Sequence, residues 1–183
     1  MPKILLLNKP FGIVSQFSGI ERAETLSSLV REKGFYPAGR LDKDSEGLLI
    51  LTNDGKLQNQ ISHPKFKLGK TYLAQVENEI SPEAIDTLKD GILLNDGLTK
   101  PTIIERILEP INIWDRHPPI RERKAIPTSW IKITIYEGKN RQIRRMTAAA
   151  GFPTLRLIRV AIGEWHLGNL LPGHSIQKEV AYI

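Results

Sequence analysis

The sequence predicts an α+β fold with a largely antiparallel sheet flanked by helices. Strand-like apolar runs come in neighbouring pairs, helix-like segments stand singly with caps at their ends, and 183 residues suffice for one substantial core. A chain of this size buries roughly 70% of its unfolded surface. The expectation is one domain over residues 1–183, or two closely packed lobes.

The elements follow in order. Residues 4–7 and 13–17 are short apolar runs separated by the turn Lys9-Pro10-Phe11-Gly12, which predicts an antiparallel pair. Residues 25–32 read as a helix with Gly34 just beyond it. Leu48-Leu49-Ile50-Leu51-Thr52 reads as a buried strand, after which Asn53 or Asp54 caps a helix that His63-Pro64 ends. Residues 71–77 read as a strand, and Ser81-Pro82 opens a helix through Asp90 with Gly91 at its end. Residues 102–108 and 130–136 form strands on either side of a proline-rich loop. A helix capped by Asn140 and finished by Gly151 follows, and residues 155–160 with 162–167 supply a last pair.

Composition narrows the chemistry. The twelve prolines and fourteen glycines are dispersed, with no repeat and no low-complexity block. Without cysteine there are no disulfides and no thiolate nucleophiles or ligands, and His63, His117, His166 and His174 lack zinc-ligand spacing. Ile4-Leu5-Leu6-Leu7 is far too short for a signal peptide or a membrane span. A soluble, cytoplasmic monomer is expected.

The net charge of +6 is unevenly distributed. Residues 116–159 hold eleven Lys and Arg against Glu122 and Glu137, a balance of +9, which leaves −3 for the remainder. This segment includes Pro118-Pro119-Ile120-Arg121-Glu122-Arg123-Lys124, a basic loop too polar to bury. Clustered cations on a loop and a helix point to a polyanion such as folded RNA, whereas sparse aromatics argue against a single-strand stacking platform.

The chemistry-bearing stretch is Gly39-Arg40-Leu41-Asp42-Lys43-Asp44-Ser45-Glu46-Gly47, three carboxylates beside an arginine at the entrance to a strand. Three readings compete. Asp42, Asp44, Glu46 and Gly47 match the first half of a calcium loop, but Asn53 stands where a bidentate glutamate is required. A paired-carboxylate hydrolase is a second reading, and nothing elsewhere completes its set. In the third, one carboxylate acts and a cation from elsewhere keeps it ionised. At about 100° per residue, Ile143, Met146 and Ala150 share one side of their helix and Arg141 and Arg145 the other. Arg144 falls on the flank between them, which makes it the cation of choice.

These residues carry a resemblance. Gly39 to Gly55 is similar to the signature of the small- and large-subunit ribosomal RNA pseudouridine synthases. Asn8-Lys9-Pro10-Phe11-Gly12, Lys70-Thr71-Tyr72 and Glu137-Gly138-Lys139-Asn140-Arg141-Gln142-Ile143-Arg144-Arg145-Met146 resemble the family's other motifs in the same order. Leu94-Asn95-Asp96-Gly97, Ile126-Pro127-Thr128-Ser129-Trp130 and the stretch from Gly151 to Arg159 are similar to a branch acting on the large subunit. On the same resemblance the chain is expected to start at the catalytic domain and to lack the small RNA-binding module of many relatives, which would leave recognition to the basic segment.

The resemblance implies a pseudouridine-synthase-like domain of two lobes with a central cleft, isomerising uridine in large-subunit (23S) ribosomal RNA by base flipping. It assigns Asp42 as the essential carboxylate, either nucleophile at C1′ or base toward a ribose proton. Tyr72 is implied to lie against the target base and to assist removal of the C5 proton; taken alone it reads as a core strand tyrosine. Arg144 is implied to pair with Asp42, and Arg40 to extrude or hold the nucleotide, with an ion pair to Asp44 or Glu46 as its structural alternative. Asp44 and Glu46 support the loop. Arg40, Lys70, Arg121, Arg123, Lys124, Lys139, Arg141 and Arg145 are the expected RNA contacts. No cofactor and no metal are implied, since the reaction is redox-neutral. A non-catalytic ribosome-assembly factor is the rival reading.

Overall fold

A computed structural model describes residues 1–123 and 125–183. It divides into one unit made of residues 1–68 with 159–183 and a second made of residues 69–158.

In the first unit, β1 (Lys3–Lys9) and β3 (Glu46–Thr52) pair antiparallel with Leu5 opposite Leu51, and β2 (Tyr36–Pro37) pairs with the far end of β3. Every residue of β3 is buried, and Leu48, Leu49, Ile50 and Leu51 are inaccessible to solvent. Each such side chain contributes roughly 1.5–3 kcal/mol by leaving water. Helix α1 (Gly55–Ser62) follows; the Asp54 carboxylate accepts from Leu57 N at 2.8 Å and caps it, and Leu57 and Ile61 face the core.

Two expectations fail in this unit. Residues 13–17 form no strand: Val14 N donates to Glu24 O and Gln16 O accepts from Leu26 N, so their backbone bonds go to a loop rather than to β1. The segment 25–32 forms no α-helix. One short 3₁₀ turn, Leu26–Ser28, capped by the Thr25 hydroxyl, stands in its place, preceded by another at Arg22–Glu24.

The second unit opens with β4 (Lys70–Glu77), followed by α2 (Pro82–Asp90), whose Ser81 cap accepts from Ala84 N. A small hairpin, β5 (Leu93–Leu94) and β6 (Gly97–Leu98), turns at Asn95-Asp96. Next come β7 (Ile103–Ile107) and β8 (Thr128–Ile135), and β8 runs antiparallel between β4 and β7. Helix α3 (Gln142–Ala149) completes the unit before β9 (Thr154–Ile162). Arg141, with φ of 51°, occupies the N-cap position of α3 in place of the expected Asn140 and makes no side-chain capping bond.

The chain re-enters the first unit along β9, turns at Gly163 into β10 (Trp165–His166), and ends in β11 (Ser175–Glu179), antiparallel to β1. Ile183 exchanges two hydrogen bonds with the Gln60 side chain, and the Tyr182 hydroxyl donates to Asp54 at 2.6 Å. The paired strands and separate helices realise the α+β class.

Gly47 decides how closely β3 can lie against β9. Its φ is +104°, and a Cβ placed there would fall 2.2 Å from Arg159 O and 2.9 Å from Arg159 N. Gly55, at the open start of α1, has no atom within 4 Å of the same position. Gly47→Ala is therefore expected to destabilise by well over 1 kcal/mol in urea unfolding, and Gly55→Ala to be neutral or slightly stabilising. Equal effects from the two would refute the close-packing account.

Candidate active site

The acidic loop is fastened by its backbone. Ser15 Oγ donates to Leu41 O at 2.7 Å and accepts from Leu41 N at 3.0 Å, gripping the residue before Asp42. Ser45 N donates to Asp42 O at 3.0 Å, so residues 42–45 form a tight turn, and Gly12 N donates to Lys43 O at 2.8 Å. Asp42 and Asp44 are half-buried on this turn, whereas Lys43 points outward to Glu24 at 3.0 Å. Arg40 is exposed and donates to Gln16 Oε1 at 3.3 Å.

Two buried cations, neither singled out by sequence, stand behind the loop. Lys9 ends β1 with no solvent exposure, and its ammonium donates to Ile13 O at 2.7 Å, Pro10 O at 2.8 Å and Lys43 O at 3.5 Å. Arg159 is 3% exposed; its Nε donates to Leu48 O at 2.8 Å and an Nη to Arg40 O at 3.4 Å. The signal for Lys9 was its place at the end of an apolar run whose other residues are also buried. The sequence places it at the start of the Lys9-Pro10-Phe11-Gly12 turn, whereas in the structure it is the last residue of β1.

Burial lowers Lys9 from 10.5 to about 7, opposed by the negative charges of Glu46, Asp44 and Asp42 and assisted by Arg159. This gives Glu46, itself 1% exposed at the start of β3, a definite task as the foremost charge holding the lysine protonated. A calcium loop is excluded here, because the residues that would continue it, Glu46 to Thr52, are a buried strand.

In the second unit, Tyr72 is buried on β4 opposite Ile133, as the bland reading of it also required. Arg144 lies half-buried on α3 between the buried Ile143 and Arg145. The turn leading into α3 is knitted by side chains: Glu137 Oε1 accepts from Lys100 N at 2.9 Å and Gln142 Nε2 at 2.7 Å, while Gln142 Oε1 accepts from Lys139 N at 3.2 Å. Lys70 Nζ stands over Gly138, and Lys139 Nζ lies near Gly97.

Arg145, one of the expected RNA contacts, is engaged within the protein. Its two Nη atoms donate to the two carboxylate oxygens of Asp96 at 2.8 and 3.2 Å, and its Nε donates to Asn140 O at 2.9 Å. The pair holds the Asp96 carboxyl below its ordinary value and clips the β5–β6 hairpin to α3. Arg141 is exposed at the helix start. Arg121 and Arg123 are exposed on the loop before β8, where Arg123 donates to Glu77 at 3.2 Å; Lys124 lies outside the described residues. Apart from Lys132 within β8 and the buried Arg156 and Arg159 on β9, the described cations of the basic segment fall into two groups at opposite ends of β8, a strand of eight residues and ~23 Å.

Among the described residues, no His, Cys, Asp or Glu cluster is arranged to hold a metal, and no helix is long and apolar enough to cross a membrane. An anchored carboxylate loop and two basic clusters on an α+β scaffold describe an enzyme that works on a polyanion. The family model for RNA pseudouridylate synthase matches residues 3–149, and the chain belongs to that family. It is 51% identical over 171 residues to the ribosomal large subunit pseudouridine synthase E of Vibrio vulnificus, covering 93% of this chain and 73% of that one. It is 49% identical to the protein of the same name from Xanthomonas campestris, with 93% and 92% covered. A crystal structure of a pseudouridylate synthase superimposes with a TM-score of 0.78 at 29% identity, over 98% of this chain and 71% of that one.

The buried lysine has a measurable consequence. Between about pH 7 and 10.5 the unfolded chain keeps the Lys9 proton that the folded chain has released, so stability rises with pH across that window. Lys9→Met cannot titrate. The parent should gain on this variant from pH 7 to 10, by up to roughly 1.4 kcal/mol per pH unit. A constant difference in unfolding free energy would show that the ammonium is not buried as described.

Proposed function

We propose that this chain isomerises one uridine of large-subunit ribosomal RNA to pseudouridine, with Asp42 as the residue that acts on the ribose. The carrying observation is the 49–51% identity, over 93% of the chain, to proteins named ribosomal large subunit pseudouridine synthase E. The target base leaves its stack, at a cost of a few kcal/mol offset by phosphate contacts. The C1′–N1 bond breaks, the uracil turns in place, and a C5–C1′ bond forms as C5 loses its proton and N1 gains one.

Asp42 serves as nucleophile at C1′ or as base toward a ribose proton, and both roles require an ionised carboxylate held still. The grip of Ser15 on Leu41 and the 42–45 turn supply that immobility. Tyr72 is assigned to the target base and Arg144 to the charge of Asp42, on the strength of their motifs. Arg40, Lys70, Lys139 and Arg141 are assigned to the RNA backbone. A ribosomal substrate makes the cytoplasm the expected compartment.

Tritium release from rRNA labelled at uridine C5 tests the reading. The parent should release tritium, and Asp42→Asn should be slower by at least about 10²-fold while binding RNA within a few-fold of the parent. Release at the parental rate would remove Asp42 from the chemistry. Binding without any release from the parent would leave a ribosome-assembly factor.

A further inference from the structure

The second unit holds a cavity of about 360 Å³ that shares no residue with the acidic loop, Tyr72 or α3. Its floor is the paired ends of β4 and β8, where Gln75 Nε2 donates to Thr128 Oγ1 at 3.0 Å and Glu77 stands opposite Thr128. Side chains alternate along a strand, so Gln75 and Glu77 project from the face of β4 opposite Tyr72. The cavity is therefore a separate site.

Ile120, Ile126 and Leu155 give it apolar walls, and the charged side chains of Arg121, Glu122 and Arg123 also line it, two cations against one anion. The roof is tied down. Arg123 reaches Glu77 at 3.2 Å, Arg116 donates to Leu155 O at 3.2 Å and to Pro118 O at 2.8 Å, and Ile126 N closes a turn on Arg123 O. Apolar walls fit the faces of a flat ring, the Gln75 amide oxygen and the lone pairs that Glu77 keeps beside its bond to Arg123 fit a polar edge, and the Arg121 guanidinium fits a phosphate. The volume lies at the lower end of the ~300–1,000 Å³ typical of small-ligand pockets, enough for one nucleotide.

We propose that this cavity receives the base of a single unpaired nucleotide of the RNA substrate, other than the isomerised uridine, and thereby helps select the site of modification. The proposal rests on RNA being the substrate. Folded RNA displays splayed-out bases in loops and bulges, and proteins read them by enclosing the ring and bonding its edge. The positive balance of the segment that builds the roof favours a nucleotide carried on a polyanion over an uncharged ligand.

The test uses the full chain with protein-free large-subunit rRNA. Ile126→Trp fills the cavity, and Gln75→Leu keeps its volume while removing part of the floor's polar edge. Each should raise KM for rRNA, the first about tenfold or more, with kcat at saturating RNA unchanged and thermal unfolding close to the parent's. Both should also expose, in a chemical footprint, one unpaired nucleotide that the parent protects away from the target. Unchanged KM and footprint in both variants would overturn the proposal. So would a raised KM confined to Arg121→Ala with a shallower salt dependence, which indicates a phosphate contact on an open surface. Binding of free nucleoside monophosphates by the parent, lost in Ile126→Trp without effect on rRNA, would also overturn it in favour of a small-molecule site. The footprint is read without turnover, so it stands even if the parent forms no pseudouridine.

Discussion

Two cations buried against backbone carbonyls hold the acidic loop, and much of the first unit is arranged around them. Lys9 binds the carbonyls of Pro10, Ile13 and Lys43, and Arg159 binds those of Leu48 and Arg40. Removing two positive charges from water is costly, and carbonyl dipoles alone recover only part of that cost. The carboxylates of Asp42, Asp44 and Glu46 oppose the loss of charge on Lys9, so the loop stabilises the cation that immobilises it. The contact works only because Gly47 lets the backbone of Arg159 approach, which ties the register of β3 to the geometry of the loop.

The second unit uses its charges differently. The Asp96–Arg145 and Glu137–Gln142 contacts are spent on holding a hairpin and a turn against α3, which presents Arg144 from a fixed helix. The turn into α3 and the loop before β8 both carry exposed arginines, Arg141 at the one and Arg121 and Arg123 at the other, so a rigid RNA contacting both groups would have to span the length of that strand.

Elements with local causes were legible in the sequence. β3 is a continuous apolar run, α1 and α2 carry capping side chains at their first turns, and β7 and β8 are apolar runs on either side of a proline-rich loop. Residues 13–17 and 25–32 depart from the expected strand and helix because Val14 and Gln16 bond to Glu24 and Leu26 while residues 25–30 close short turns on themselves, and hydrophobic periodicity does not report such bonding. β11 was missed because four of its five residues are exposed and offer no apolar pattern. In the site, residue type misled most: a lysine beside a proline reads as a turn, and an arginine on the polar side of a helix reads as free. Lys9 is buried and Arg145 is bound, each through partners remote in sequence.

The motif residues that reveal the family therefore do unequal work. Lys9, Gly47, Glu137, Gln142 and Arg145 are occupied by contacts inside the protein, and their chemistry explains why the loop and the helix start keep their shapes. The resemblance thus speaks to the scaffold through many residues and to the reaction through few. Asp42, the residue proposed to act on the ribose, sits on a turn whose backbone is held by the Ser45 N–H and, one residue earlier, by the Ser15 hydroxyl, neither of which bonds its side chain in these contacts.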